Sequence, residues 1–235
     1  MNKKTLLSLV ILTVSLTNTF AKDITDKKNL FGLNGGFGIS TMGIEKENDD
    51  AKNRVKIGGM FGFAYEHRFE KVVAFELGVN YTNKGAQQKI ENAGLNRSFY
   101  RLNFHSVEVP LIVKFYLGKK KIFNLNAGGF ASYAFNVQSR TKIDYKDNSV
   151  FKDSDKRENN LLSNDKNPKD LDGQRAFRTY DAGVNIGFEF VSRKGFGAGT
   201  RIQQGLVDYT NPKFIFNDNK KIYHTNVLFY AIMRL

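Results

Sequence analysis

Beyond residue 28 the chain repeats one pattern eight times: a run in which apolar and polar side chains alternate, followed by a polar connector. Alternation with a period of two places successive side chains on opposite faces of a β-strand. We predict eight strands from this pattern: 29–40, 55–69, 72–84, 104–117, 122–140, 180–192, 195–209 and 221–235. After residue 21 no apolar run approaches the roughly 20 residues that a membrane helix needs, so the pattern predicts an all-β fold.

The two faces of the predicted strands differ in a way that limits where the strands can fold. In the second strand, Phe61, Phe63 and Phe69 lie on one face, whereas Gly62 and Glu66 lie on the other. A water-soluble barrel would turn its bulky apolar residues inward. The opposite arrangement predicts an eight-stranded antiparallel transmembrane β-barrel, with lipid outside and small or charged side chains inside.

The connectors alternate in length. They are tight after the second, fourth and sixth strands, at Glu70-Lys71, 118–121 and Arg193-Lys194, and the others are longer and polar, with 141–179 the longest. Outer-membrane barrels have short periplasmic turns and longer extracellular loops. We therefore predict that both termini are periplasmic and that 141–179 is an external loop.

The first 21 residues have the features of a secretory signal peptide. Lys3 and Lys4 precede an apolar stretch, and the segment ends on the small residue Ala21. An N-terminal membrane anchor is the alternative. We expect residues 22–235 to form one outer-membrane barrel domain, without disulfides because the chain has no cysteine.

The inward face is predicted to carry eight charged side chains among its glycines. They are Glu66, Glu76, Glu108, Glu189, Arg68, Lys114, Arg201 and Arg234. Eight strands leave an interior only wide enough for side chains, and an unpaired buried charge costs several kcal/mol. We predict that four acids and four bases pair and largely plug the lumen. A narrow wet pore lined by the same residues is the alternative.

Pro110 interrupts the fourth predicted strand. Proline lacks a backbone donor and normally marks an edge or a bulge. Because the apolar face continues unshifted from Val107 and Val109 to Leu111 and Val113, we keep the strand and predict a local bulge at Pro110.

Aromatic residues near the strand ends are predicted to form interfacial girdles. They are Tyr81, Tyr116, Phe123, Phe190, Phe196, Tyr209 and Tyr223.

No group of residues predicts catalysis. The three histidines are His67, His105 and His224, of which the first two point outward and the third inward near the external rim. Ser106 and Glu108 point inward, away from His105, whereas a nucleophile and its base must approach within about 3 Å. We expect no enzymatic activity, no cofactor and no metal site.

The chain is basic, with a formal net charge of +13, or +11 without Lys3 and Lys4. In a cytosolic protein such a charge would suggest nucleic acid as a partner, but export argues against it. Basic periplasmic turns can contact anionic headgroups. The connector between the third and fourth strands carries Lys89, Arg97 and Arg101, which are expected to face lipopolysaccharide phosphates.

One stretch resembles a known family. Val107-Glu108-Val109-Pro110-Leu111, followed by Lys114-Phe115-Tyr116, is similar to strand four of the "porin family" outer-membrane barrels of Bacteroidetes, which include PorT-like barrels. Further similarities occur in order at Gly35-Gly36, 65–69, 76–85, 124–133, Asp181-Ala182-Gly183, and Arg201 with Gly205-Leu206. The resemblance covers nearly all of residues 29–235. Leu235 departs from the aromatic residue that often ends such barrels.

The resemblance implies a fold and an outer-membrane location more than an activity. We expect a structural or surface-interaction role for a barrel with a largely plugged lumen. A narrow porin-like channel and a PorT-like accessory of protein secretion are the alternatives. The expected partners are outer-membrane lipids, lipopolysaccharide and the barrel-insertion machinery, with no nucleic acid.

Overall fold

A computed structural model describes residues 23–42, 51–69, 72–92, 96–118, 120–145, 154–158, 178–208 and 223–235. The predicted signal peptide and the Glu70-Lys71 turn lie outside these residues. The described strands are β1 (Asn29–Met42), β2 (Ala51–Arg54), β3 (Lys56–Arg68), β4 (Val73–Asn92), β5 (Asn96–Leu117), β6 (Phe123–Tyr145), β7 (Ser154–Glu158), β8 (Tyr180–Val191), β9 (Phe196–Gly205) and β10 (His224–Arg234).

Eight of these strands close into a ring. Each strand pairs antiparallel with its neighbour in the order β1, β3, β4, β5, β6, β8, β9 and β10, and β10 pairs with β1 to close the seam. The two short strands lie outside the ring, because β2 pairs with the far end of β4 and β7 with the far end of β6. The ring confirms the predicted all-β, eight-stranded antiparallel barrel.

Most of the bulky apolar side chains face outward. Phe61 is 53% exposed and Ile186 is 62% exposed, whereas Glu76 and Lys114 are fully buried inside the ring. The period of two thus puts hydrocarbon-like surface outside and polar groups inside, as predicted. Among the described residues, no helix is long and apolar enough to cross a membrane.

Pro110 does not form the predicted bulge. The β4–β5 register is the same on both sides of it, with Leu77 opposite Leu111 and Asn80 opposite Glu108. The pairing between β4 and β5 is interrupted beside Pro110 without a change of register, because proline has no N–H to donate. A Cβ on Gly78 would lie 3.0 Å from the Pro110 ring, so this glycine makes room for the proline. The bulge occurs instead at His105/Ser106, where β5 and β6 change register.

The predicted strand ends are wrong on one side of the barrel. Residues 85–92 and 96–103, predicted as parts of a loop, pair with each other and continue β4 and β5, and β6 runs five residues past its predicted end at residue 140. Two described pieces of the predicted loop 141–179 are therefore strand, since 141–145 belong to β6 and 154–158 form β7. We call β2, 85–92, 96–103, 136–145 and β7 together the sheet extension.

Candidate functional site: the barrel lumen

The eight charged residues predicted to face inward all lie inside the ring. Each is at most 4% exposed. They come from six strands, and each occupies the inward register of its strand. The lumen is therefore a layered polar interior held together by side chains from most of the barrel wall.

Lys114 is the centre of the lower part of the lumen, the end near the termini. Its Nζ lies 3.1 Å from Glu66 Oε2, 2.5 Å from Glu76 Oε2 and 2.6 Å from Glu189 Oε2. These carboxylates come from β3, β4 and β8, so a single ammonium group connects four strands across the ring. Charge-assisted hydrogen bonds of this kind are roughly twice as strong as neutral ones.

Three arginines complete this network around the same carboxylates. Arg234 Nη2 lies 2.7 Å from Glu76 Oε2, and Arg201 Nη2 lies 3.4 Å from Glu76 Oε1. Arg68 Nε donates to Glu66 Oε1 at 2.8 Å. Seven of the eight predicted residues thus form one connected ion-pair network, which we call the lower network, with four cations and three carboxylates.

Two tyrosines join the lower network, and sequence reasoning misassigned one of them. Tyr116 was predicted in an interfacial girdle, but it is 3% exposed and donates to Glu66 at 2.5 Å. Alternation could have shown this, because Tyr116 has the register of Lys114. Tyr230 donates to Glu189 at 2.9 Å. Each hydroxyl donates to a carboxylate oxygen that an arginine also contacts, Arg68 at Glu66 Oε1 and Arg201 at Glu189 Oε1.

Glu108 lies outside the lower network. Its oxygens accept hydrogen bonds from Gln203 Nε2 at 2.7 Å and from Lys84 Nζ at 3.4 Å. Lys84 also lies 3.6 Å from Asp181 Oδ2, which is 2.9 Å from His224 Nδ1. Of the eight predicted residues, Glu108 alone departs from the pairing with the others. It belongs to a second cluster with Lys84, Asp181 and His224, closer to the sheet extension, which we call the upper cluster.

This upper cluster contains residue types that are used in hydrolysis, but their arrangement differs from a catalytic one. Ser132 Oγ lies 3.4 Å from Lys84 Nζ, while the two ring nitrogens of His224 face Asp181 and Lys84. A nucleophilic serine needs a base that is itself oriented by a third group. These groups are at most 7% exposed and are engaged with one another. The geometry favours a structural ion cluster.

The segment before β1 lies at the lower mouth of the lumen. Ile24 is 4% exposed and packs with Leu30, Val191 and Ile232. Arg68 Nη1 donates to the Ile24 carbonyl at 2.9 Å, and the Ile24 amide donates to the Arg193 carbonyl at 3.0 Å. Residues 23–28 therefore form a strap that is tied to the lower network from below.

We expect Ile24→Ala to loosen the strap. Truncating a buried isoleucine costs about 2–5 kcal/mol, and a site at the mouth of the lumen should lie near the lower limit. Urea unfolding of the refolded barrel in lipid vesicles measures the difference. Asp26→Ala, at an exposed position of the same strap, is the matched control. Equal midpoints for Ile24→Ala, Asp26→Ala and the unmodified chain would contradict a seated strap.

Within the described ranges, no group of three or more metal-binding side chains is close enough to hold a metal ion. The outward histidines make local contacts instead. His105 Nδ1 lies 2.7 Å from the Tyr81 hydroxyl, and His67 Nδ1 lies 2.6 Å from Asn29 Oδ1.

Residues 20–211 match the family model described as an outer membrane protein beta-barrel domain. No curated protein matches the chain. Similar solved structures include the attachment invasion locus protein Ail of Yersinia pestis, with 9% identity, 88% of this chain and 99% of that chain covered, and a TM-score of 0.39. Neisserial surface protein A has 9% identity, 89% and 98% coverage and a TM-score of 0.43. OprG of Pseudomonas aeruginosa has 14% identity, 88% and 95% coverage and a TM-score of 0.36.

Proposed function

Because this chain belongs to the outer membrane protein beta-barrel domain family, we propose that it is a closed barrel that holds a sheet extension outside the Gram-negative outer membrane. The single observation that carries this proposal is the lower network. Its side chains meet across the whole width of the ring, with Lys114 fully buried between three carboxylates. The barrel then acts in membrane integrity and surface interaction, without enzymatic activity.

The orientation of the barrel belongs to the same proposal. The end that carries Asn29 and Leu235 also carries the connections between β3 and β4, β5 and β6, and β8 and β9, which are all short. The sheet extension rises at the opposite end. Short turns are periplasmic in outer-membrane barrels, so both termini are periplasmic and the extension is external.

We expect the unmodified protein to show no unitary conductance steps in planar bilayers. The lower network and the strap block the lumen in series, and side chains fill an eight-stranded interior. The double variant Arg201→Ala/Arg234→Ala removes two guanidinium groups from the blocking layer, and it should conduct. Circular dichroism of both proteins in vesicles checks that each barrel is folded. Steady unitary conductance steps from the unmodified chain would contradict the closed-barrel proposal and support a channel.

One observation favours the narrow channel as the second candidate. Midway along β4 and β5, with Asn80 opposite Glu108 and Thr82 opposite Ser106, the atoms Asn80 Oδ1, Thr82 Oγ1 and Ser106 Oγ are buried without a hydrogen-bond partner in the described part of the chain. Buried polar atoms of this kind are commonly satisfied by internal water. A hydrated middle layer is what a channel would need, and the conductance measurement separates it from a sealed compartment.

Kinship with the PorT-like barrels of Bacteroidetes is the remaining part of the proposal. It is supported by the ordered motifs around Pro110 and Lys114, and it would add an accessory role in protein secretion. A deletion strain with unchanged surface proteins would remove that role and leave the closed barrel unaffected.

A further inference from the structure

The outward-facing side chains change character where the strands leave the ring. Below this point the outward register is apolar, and it ends in an aromatic group formed by Tyr81, His105 and Phe135, with ring centroids 6.1 to 6.4 Å apart. Above it, the same register of the sheet extension is polar and basic. Aromatic residues concentrate at membrane interfaces, so this change marks the external surface of the bilayer.

Three arginines form a row across the outer face of the extension. Arg101 of β5 lies directly opposite Arg140 of β6, which lies directly opposite Arg157 of β7, and Gln87 of β4 ends the row. Like charges that are directly opposite each other destabilise a sheet. A second row, one step further out, adds Lys89 and Lys142.

The carboxylates of this face neutralise only part of the row. Asp155 accepts two hydrogen bonds from Arg140, at 2.9 and 2.6 Å, and lies 3.9 Å from Arg157. The hydrogen bond from Arg140 holds the pKa of Asp155 below its ordinary value, so Asp155 is charged at neutral pH. Arg101 donates to the Gln87 amide at 3.4 Å, and it forms no ion pair within the described ranges.

The row borders a groove with the size of a small-molecule site. The groove has a volume of about 310 Å³ and is lined by Gln87, Phe99, Arg101, Arg140, Lys142 and Asp144. Three of its six lining residues are cations, and Phe99 supplies a flat apolar wall. Guanidinium groups bind phosphate oxygens in a bidentate manner. The groove therefore has the chemistry of a site for a phosphorylated sugar.

The height of the row above the membrane identifies the source of that phosphate. Arg101 lies four residues beyond His105 on β5, which is roughly 13 Å along the strand, or about 10 Å along the membrane normal for a strand tilted by about 40°. The row stands on the outward register, directly above the lipid-contacting band. A ligand that rises from the outer leaflet meets it without leaving the membrane.

We propose that the arginine row and its groove bind the phosphorylated sugar headgroup of the outer-leaflet glycolipid, lipopolysaccharide. This inference rests on the proposed external position of the sheet extension and deepens it by naming the partner. The headgroup phosphates balance the positive charge of the arginine row that Asp155 and Asp144 do not neutralise. The bound glycolipid then fixes the extension against the membrane surface.

The test uses the purified full chain in phospholipid nanodiscs, titrated with purified lipopolysaccharide. We expect the triple variant Arg101→Gln/Arg140→Gln/Arg157→Gln to bind at least tenfold more weakly than the unmodified chain, and enzymatic dephosphorylation of the glycolipid to remove most of that difference. Lys120→Gln/Arg193→Gln/Lys194→Gln, with three exposed basic residues at the opposite end of the barrel, is the matched control and should bind as the unmodified chain does. Circular dichroism establishes that all three proteins are folded.

Two results would overturn the inference. Equal binding by the triple variant and the unmodified chain would remove the arginine row from lipid contact. Binding of soluble inorganic polyphosphate as tightly as lipopolysaccharide would make the site a general polyanion site. Neither result depends on conductance, so the closed-barrel proposal stands or fails separately in the planar-bilayer measurement.

Discussion

Replacing Lys114 with methionine should destabilise the barrel by about 3–5 kcal/mol, which is the usual cost of removing one partner from a buried ion pair. Methionine keeps the length of the side chain but removes the ammonium that three carboxylates share at 3.1 Å or less. Without it, Glu66, Glu76 and Glu189 face one another at the centre of the lumen. Urea titration of the barrel in lipid vesicles, followed by circular dichroism and by electrophoretic mobility before and after heating, measures the loss.

Two further variants show whether that cost comes from the network. Lys120→Met removes an exposed cation from the turn between β5 and β6 and should change the free energy of unfolding by less than about 0.5 kcal/mol. Glu189→Gln combined with Lys114→Met removes one of the crowded carboxylates and should recover part of the loss, as coupled neighbours do. A cost below about 1 kcal/mol for Lys114→Met would contradict a network that holds the lumen together.

Substituting Gly36 with alanine should prevent most chains from closing the barrel. A Cβ at this position would lie 2.0 Å from the Phe229 carbonyl oxygen and 2.6 Å from the Tyr230 Cα, both backbone atoms of β10. The seam joins the first and last strands of the ring, β1 and β10, and its paired backbones cannot separate without losing hydrogen bonds. Overpacking usually costs about 1–3 kcal/mol, and a clash with backbone should exceed that range. The folded fraction after refolding into vesicles is the measurement.

The neighbouring glycine provides the control. Gly35 faces outward, and the nearest atom to a Cβ there is Cδ2 of Phe61 at 3.8 Å, an ordinary van der Waals distance. Gly35→Ala should therefore fold as well as the unmodified chain, because alanine also reduces the freedom of the unfolded state. Equal folded fractions for Gly35→Ala and Gly36→Ala would show that the seam can open to admit a methyl group.

Burying eight charged side chains in the lumen costs free energy that the rest of the fold has to offset. Replacing a buried ion network with packed apolar residues is often neutral or stabilising in other proteins, so the lower network is weak evidence for stability by itself. Its value here lies in what it joins. Lys114, Glu66, Glu76 and Glu189 tie four strands of the ring together, and Arg68 ties the strap to that layer. We infer that the network mainly specifies a unique closed state.

Several features of the fold followed from the sequence because they depend on local periodicity. Alternation alone separated Phe61 and Phe63 from Glu66 and Arg68, and it gave the number of strands in the ring. The same rule failed where the pattern fades. Residues 85–103 are mostly polar, so they did not resemble strands, yet 85–92 pair with 96–103 and extend β4 and β5.

The choice of ion-pair partners could not be obtained in this way. Glu108 was expected to pair with one of the four predicted inward bases, but it contacts Lys84 and Gln203, which are 24 and 95 residues away along the chain. Which inward side chains meet depends on the stagger between strands all the way around the ring. The strap illustrates the same limit, because nothing in the polar sequence around Ile24 indicates that it seats in the lumen.

Local alternation was enough to predict the eight strands of the ring, the outward face of each and the eight charged residues that point into the lumen, since these depend on a period of two along the backbone. The pairing of those residues, the seat of the strap and the alignment of Arg101, Arg140 and Arg157 became visible only in the folded barrel. These features join positions that are far apart in the chain, and the register of a closed ring brings them together.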